Sequence, residues 1–163
     1  MRILFLLVMG MFLFPSVAHA GKCPKLIFDL EAGTMNGLKP TASQDEIVAA
    51  IPCVSSITEE GSKFNQGGGV FYSTKKFYVY TAEDYMQIRE RYWGKVTPDL
   101  EEASRDRVLS HYGMPNETAA KGTRIYYTKP YGCLQFMFGK DGIVSRISIH
   151  SVSCKDAIFR KQW

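Results

Sequence analysis

The sequence predicts an α+β fold: an antiparallel sheet built from two helix-then-strands repeats, with helices packed on one face. Three observations carry this. Residues Thr41 to Val48 match Glu102 to Leu109 in pattern, with alanine, serine and aspartate coinciding. Each copy is followed by a run rich in β-branched and aromatic residues, Val70-Phe71-Tyr72-Ser73 and Ile125-Tyr126-Tyr127-Thr128, which is the composition of strands. Hairpin turns, rather than crossover helices, join those strands, which argues against all-α and doubly wound folds.

The chain is 163 residues long, with 45% hydrophobic and 22% charged residues, enough to bury a core and too apolar for a disordered protein. Residues 1–20 read as a signal peptide: Arg2, an apolar run from Ile3 to Phe14, Pro15, and Ala18-His19-Ala20 as the cleavage site. That run is shorter than the roughly 20 apolar residues that span a bilayer, and no later segment approaches this length. Cys23 follows Lys22 instead of the small residue expected before a lipid-attachment cysteine. The expectation is a periplasmic or secreted chain cleaved after Ala20. Residues 21–163 then form one α+β domain of two related halves, about 21–80 and 97–154, joined by a helix at about 82–93.

Four cysteines remain after cleavage, Cys23, Cys53, Cys133 and Cys154, and an even count in an exported chain implies two disulfides. Three connectivities are open; Cys23 with Cys53 and Cys133 with Cys154 is preferred because it keeps each bridge within one half. The shortest gap between cysteines, 21 positions, lacks the close ligand pairs of a zinc site, so no metal is expected.

Along the chain, Ser43 caps the first helix and forms a capping box with Glu46, and Pro52 ends it. Gly67-Gly68-Gly69 precedes a strand and so is a hairpin lead-in, not a phosphate loop. Val79 and Tyr80 match Leu134 and Gln135 in the second half. Thr81, Glu83 and Asp84 suit a helix start, and Tyr85, Ile88 and Tyr92 recur at helical spacing before Gly94. Thr97-Pro98-Asp99 reads as a further helix start with proline in first position. Ser104 caps the second repeat helix, with Arg107 where the box glutamate would stand, and Gly113 and Pro115 end it. In the last hairpin Leu134, Phe136 and Phe138 alternate with polar partners. Gly139 to Gly142 turn the chain, and pairing Phe138 with Ile143 would place Ile143, Ile147 and Ile149 on the same core face. Ile158, Phe159 and Trp163 suggest that the tail packs back.

The short capped helix, the Gly-x-Pro at Gly113-Met114-Pro115, the aromatic strand from Ile125 to Tyr127 and the hairpin from Phe138 to Ile147 resemble the SmpA/OmlA domain of outer-membrane assembly lipoproteins and the similar β-lactamase inhibitor protein. The match covers about 45 residues, and the first half more loosely through the repeat. Two departures stand out: the cleavage site has no lipidated cysteine beside it, and Ile51-Pro52 lacks the glycine. A tandem repeat with local disulfides is closer to the inhibitor arrangement, which the resemblance implies grips a protein partner with its sheet face.

Chemistry-bearing motifs are sparse. No Gly-x-Ser-x-Gly, His-Glu-x-x-His or phosphate loop occurs, and Asp99, Glu101 and Glu102 read as the acidic start of a helix. The net charge of +4 comes from scattered basic residues, densest at Lys75-Lys76 and in the tail at Lys155, Arg160 and Lys161. Without a basic stripe no nucleic-acid partner is expected. If Phe77 and Val79 face the core, then Tyr78 and Tyr80 face the opposite way with Gln135, Met137, Val144, Arg146 and His150. Tyrosine, arginine and methionine favour protein interfaces, so Tyr78, Tyr80, Gln135, Met137, Arg146 and His150 form the candidate partner-binding face. The function expected is a non-enzymatic exported binding module acting on an exported protein or envelope component, an enzyme inhibitor among the candidates, with no cofactor. The alternative is a small periplasmic hydrolase or ligand-binding carrier using His150 and Arg146; His111 reads as structural.

Overall fold

The computed structural model describes residues 23–59 and 68–160. The expected signal peptide and Trp163 lie outside the described residues. Strands β1 (Ile27–Asp29) and β2 (Thr34–Met35) precede helix α1 (Gln44–Ala50) and four strands, β3 (Ser56–Thr58), β4 (Gly69–Tyr72), β5 (Phe77–Tyr80) and β6 (Tyr85–Arg89). Strand β7 (Lys95–Thr97) leads to α2 (Arg105–Tyr112), then to β8 (Glu117–Ala119), β9 (Arg124–Lys129), β10 (Gly132–Phe138), β11 (Val144–His150) and α3 (Cys154–Arg160). The fold is α+β, with a large antiparallel sheet.

That sheet has eight strands in the order β3-β4-β5-β6-β11-β10-β9-β8. Each repeat supplies a four-stranded meander, and the meanders join through their last strands, β6 against β11. The registers reveal a pseudo-two-fold. Tyr72 pairs with Phe77 and Phe77 with Ile88, as Tyr127 pairs with Leu134 and Leu134 with Ile149. At the junction Ile88 opposes Ile147 and Met86 opposes Ile149, so the axis passes through the central pair Gln87–Ser148.

The two helices start alike. Ser43 and Ser104 share φ −67° and ψ 159°, and each hydroxyl accepts from the amide three residues on, Glu46 or Arg107, at 3.3 Å. The capping box of Ser43 with Glu46 is present, and it is absent from the second copy. The helices also end alike. The Tyr72 hydroxyl donates to the carbonyl of Ile51, the last cap of α1, at 2.8 Å, and the matching Tyr127 donates to that of Gly113, the last cap of α2, at 3.0 Å.

Helices α1 and α2 pack on one face of the large sheet through Ile47, Ile51 and Val108, together with Leu26, Phe28 and Met35 from the N-terminal segment. This face is the main core, where Val70, Val79, Ile88, Phe136, Ile147 and Ile149 are buried. A three-stranded sheet, β2-β1-β7, with β1 parallel to β7, was not foreseen from the sequence. Helix α3 lies on the opposite face, where Cys154 and Ala157 pack on Tyr126 and Cys133. Both disulfides have the preferred pairing, Cys23–Cys53 and Cys133–Cys154.

Several local expectations are corrected. Residues 82–93 are not a helix: after a single 3-10 turn, Thr81–Glu83, Asp84 adopts φ 52° and the chain runs on as β6. Strand β6 is buried on both faces, so it lacks the polar alternation that identifies a strand, and Tyr85, Ile88 and Tyr92 imitate a helical stripe. Thr97 pairs with Asp29 in the β1–β7 ladder, which commits its backbone to a strand and delays the helix to Arg105. Phe138 pairs with Val144, not Ile143, because a bulge beside Met137 and Phe138 moves the register by one residue and turns Val144 into the core. Val79 corresponds to Phe136, not Leu134, since the β9–β10 hairpin is longer; this even slip preserves the face. Gly69 opens β4, where an added Cβ would meet the Val79 carbonyl oxygen at 2.6 Å, so a close backbone approach is what requires glycine.

Candidate functional site

Side chains alternate along a strand, so the residues of β4, β5, β6, β11, β10 and β9 that do not enter the main core share the sheet's second face. Register arranges them in rows across the strands. A central row runs Phe71, Tyr78, Gln87, Ser148, Gln135 and Tyr126. Tyr80, Tyr85, His150 and Cys133 form the row on one side. On the other side stand Arg89, Arg146, Met137 and Arg124.

The six sequence-predicted residues all belong to this face, at two depths. Tyr78, Tyr80, Met137 and Arg146 are part-exposed and can reach a partner. Gln135 and His150 are buried, at 1% and 2% exposure, and belong to the layer beneath. His150 stacks on Tyr85 with ring centroids 5.0 Å apart, and its Nε2 lies 3.3 Å from Gln135 Oε1. Val144, assigned to this face from the sequence, sits in the main core for the register reason given above.

The aromatic side of the face is a connected stack. Phe71 meets Tyr80 edge-on at 5.5 Å, Tyr80 stacks on Tyr85 at 4.3 Å, and Tyr85 continues to His150. Ring pairs of this kind contribute about 0.5–1.5 kcal/mol beyond area burial and fix ring positions in advance of any contact. Burial, with Tyr80 and Glu83 nearby, pushes the Tyr85 phenol well above its ordinary range, so the hydroxyl stays protonated. Arg89 lies 4.4 Å over the Tyr78 ring, and the Gln87 amide, with its oxygen turned toward Arg89, accepts from Nε at 2.9 Å.

Sequence reading missed Arg89, Arg124 and Phe71. A helical reading of residues 82–93 hides Arg89; in a strand, its positions two from Gln87 and four from Tyr85 put it on this face. Open hollows among the described residues lie elsewhere: one of about 590 Å³ is bordered by Glu90, Glu102 and the turn at Lys140-Asp141, one of about 490 Å³ by Leu26, Tyr92 and Trp93, and one of about 360 Å³ by Asp99, Arg107 and His111. None of these includes His150 or Arg146; Arg146 borders a crevice of only about 10 Å³ with Arg89, Glu90 and Glu101, too small for a ligand. Among the described residues, no group of three or more histidine, cysteine, aspartate or glutamate side chains could hold a metal ion. None of their helices is long and apolar enough to cross a membrane.

Compared with protein-family models, curated proteins and solved structures, the chain finds no match in any of the three. Its role therefore has to be argued from this face.

Proposed function

We propose that this is an exported, non-enzymatic binding module that grips a protein partner through the second face of its large sheet. The observation that carries the reading is the joint placement of Tyr78, Tyr80, Met137 and Arg146, part-exposed side chains of interface type, on one face of a continuous sheet and over a buried polar and aromatic layer. A rigid sheet with stacked rings loses little conformational freedom on binding, which favours recognition by surface complementarity. Two disulfides suit a chain that works in an oxidising compartment, periplasmic or extracellular. The resemblance to the SmpA/OmlA and β-lactamase-inhibitor-like domains supports the same reading, with an exported enzyme or an envelope component as the partner. His150 is buried in an aromatic and amide layer, which disfavours the alternative of a hydrolase or carrier using it.

The test is capture from an envelope extract by the mature protein, repeated with Tyr80→Ala and Arg146→Ala. A partner retained by the unmodified protein and lost from both variants is the expected outcome. Absence of specific capture, or capture indifferent to both substitutions, sinks the reading.

A further inference from the structure

The second face carries a row of guanidinium groups that the linear sequence disperses over 58 positions, Arg89, Arg124 and Arg146. Arg89 opposes Arg146 directly across the β6–β11 ladder, and Arg146 and Arg124 both oppose Met137, from its two sides. With strands about 4.8 Å apart, three positive side chains therefore originate within roughly 15 Å of one another. Like charges directly opposite across a ladder are destabilising. Among the described residues no carboxylate relieves this: the ion pairs join Arg107 with Asp99, and Glu31 with Lys129 and His111. Glu117, on β8, is one row away on the same face, and Glu90 and Glu101 border a crevice with Arg89 and Arg146, but none of the three forms an ion pair with the row.

One donor of the row lacks an acceptor: Arg124 Nε is buried without one, although Tyr126 lies beside the guanidinium. Arg146 is half-buried, and that burial, with Arg89 and Arg124 as neighbours, disfavours its charge, while Tyr80 and Tyr85 favour it. Arg89 is held in place by Gln87 and Tyr78. The row thus has no ion-pair partner among the described residues and is partly desolvated, the condition in which an incoming anion gains most.

We propose that Arg89, Arg146 and Arg124 form a docking row for an acidic protein segment, whose carboxylates they receive while Tyr78, Tyr80 and Met137 cover its apolar side chains. This rests on the binding-module reading and names the partner's chemistry. A protein segment fits better than a nucleic acid, because base stacking needs free ring faces. Here Tyr80 stacks on Tyr85, Arg89 occupies a face of Tyr78, and Phe71 closes on both tyrosines. Along an extended acidic segment three alternate carboxylates span about 14 Å, close to the distance from Arg89 to Arg124 across three strand spacings, and long arginine side chains take up the uneven steps between them.

The experiment is fluorescence anisotropy with the mature protein and a labelled peptide of alternating glutamate and leucine, against polyphosphate and single-stranded DNA as competitors. Saturable peptide binding is expected, weakened about 10-fold or more by Arg146→Gln and by Arg89→Gln, and unchanged by the distant Lys95→Gln. Arg146→Lys, which keeps the charge and loses the planar fork, falls between them. The Arg146→Gln variant melts no lower than the unmodified protein, since it removes repulsion, so lost binding is not lost folding. Absence of peptide binding, equal weakening by Lys95→Gln, or displacement by polyphosphate or DNA at far lower concentration than by unlabelled peptide overturns the proposal. Envelope capture that depends on Tyr80 and ignores Arg146→Gln overturns the docking row alone and leaves the binding-module reading standing.

Discussion

Tyr72 and Tyr127 show how one side chain can tie a repeat together. Each is a core-facing residue of its meander whose hydroxyl reaches the final carbonyl of the helix packed above it. A helix leaves its last carbonyls without partners, and burial makes an orphan costly, so these bonds both orient the helix and satisfy its end. Tyr72→Phe and Tyr127→Phe should each lower stability by about 1–2 kcal/mol, with nearly additive effects in the double variant because the sites lie in different halves; urea denaturation measures this. Gly113 adds a backbone requirement, with φ 75° and ψ −159° and no atom within 4 Å of an added Cβ. The cost of Gly113→Ala, about 1–3 kcal/mol, would then be purely conformational. Two glutamates shift in opposite directions. Partial burial opposes ionisation of Glu31, but the Lys129 ammonium at 2.8 Å, the Tyr112 hydroxyl and His111 together outweigh it and lower the pKa. Its stabilisation is present above the unfolded carboxylate value and lost as pH falls through the folded one. Burial, with Glu102 and Asp99 nearby, raises the pKa of Glu101 although Tyr92 N donates to it at 2.8 Å. Its favourable contribution is therefore complete below the unfolded value and disappears as pH rises through the folded one. Melting curves from acid to neutral pH should show Glu31→Gln destabilising only toward neutral pH, by less than about 1 kcal/mol since Glu31 is exposed. Glu101→Gln should stabilise toward neutral pH.

Among the elements, α3 depends most on its surroundings. It has seven residues, too few to persist alone, and buries only Cys154 and Ala157. The Cys133–Cys154 bridge and the packing on Tyr126 hold it against the sheet. Replacing both cysteines with alanine should cost on the order of 3 kcal/mol, and limited trypsin digestion should then cut first at Lys155 while β9 to β11 stay protected from hydrogen exchange. An unchanged cleavage pattern would show that packing alone holds the helix. The elements also differ in how plainly they could be read. Helices α1 and α2 were legible because serine caps and Pro or Gly stops act locally. Strand β6 was not, because a strand buried on both faces has no polar alternation, and its Tyr85, Ile88, Tyr92 spacing imitates a helix. The β10–β11 hairpin was legible as a hairpin but not in register, since a bulge depends on how Met137 and Phe138 meet the opposing strand.

In the whole molecule, two meanders become one sheet only through the β6–β11 junction. There Met86, Ile88, Ile147 and Ile149 pack into the same core as Ile47 and Val108. The junction makes the halves interdependent, so Ile147→Ala should lower stability by about 2–5 kcal/mol and retain a single cooperative transition. Calorimetry resolving two transitions would show that the halves fold separately. Composition, caps and alternation were enough to determine an α+β chain with helix-then-strands segments and with Tyr78 and Tyr80 turned away from the core, because each of these signals acts over a few residues; the cysteine count implied two bridges, and the structure chose their pairing. Which residues lie at the surface of the second face was decided by tertiary structure. His150 and Gln135 are buried among Tyr85, Gln87, Ser148 and Cys133 in the packed part of that face, and three arginines, far apart in the chain, become a row because β6, β11, β10 and β9 meet in one register. Cross-strand neighbours are set by pairing at long range, and no local pattern in the sequence encodes which strand will lie beside which.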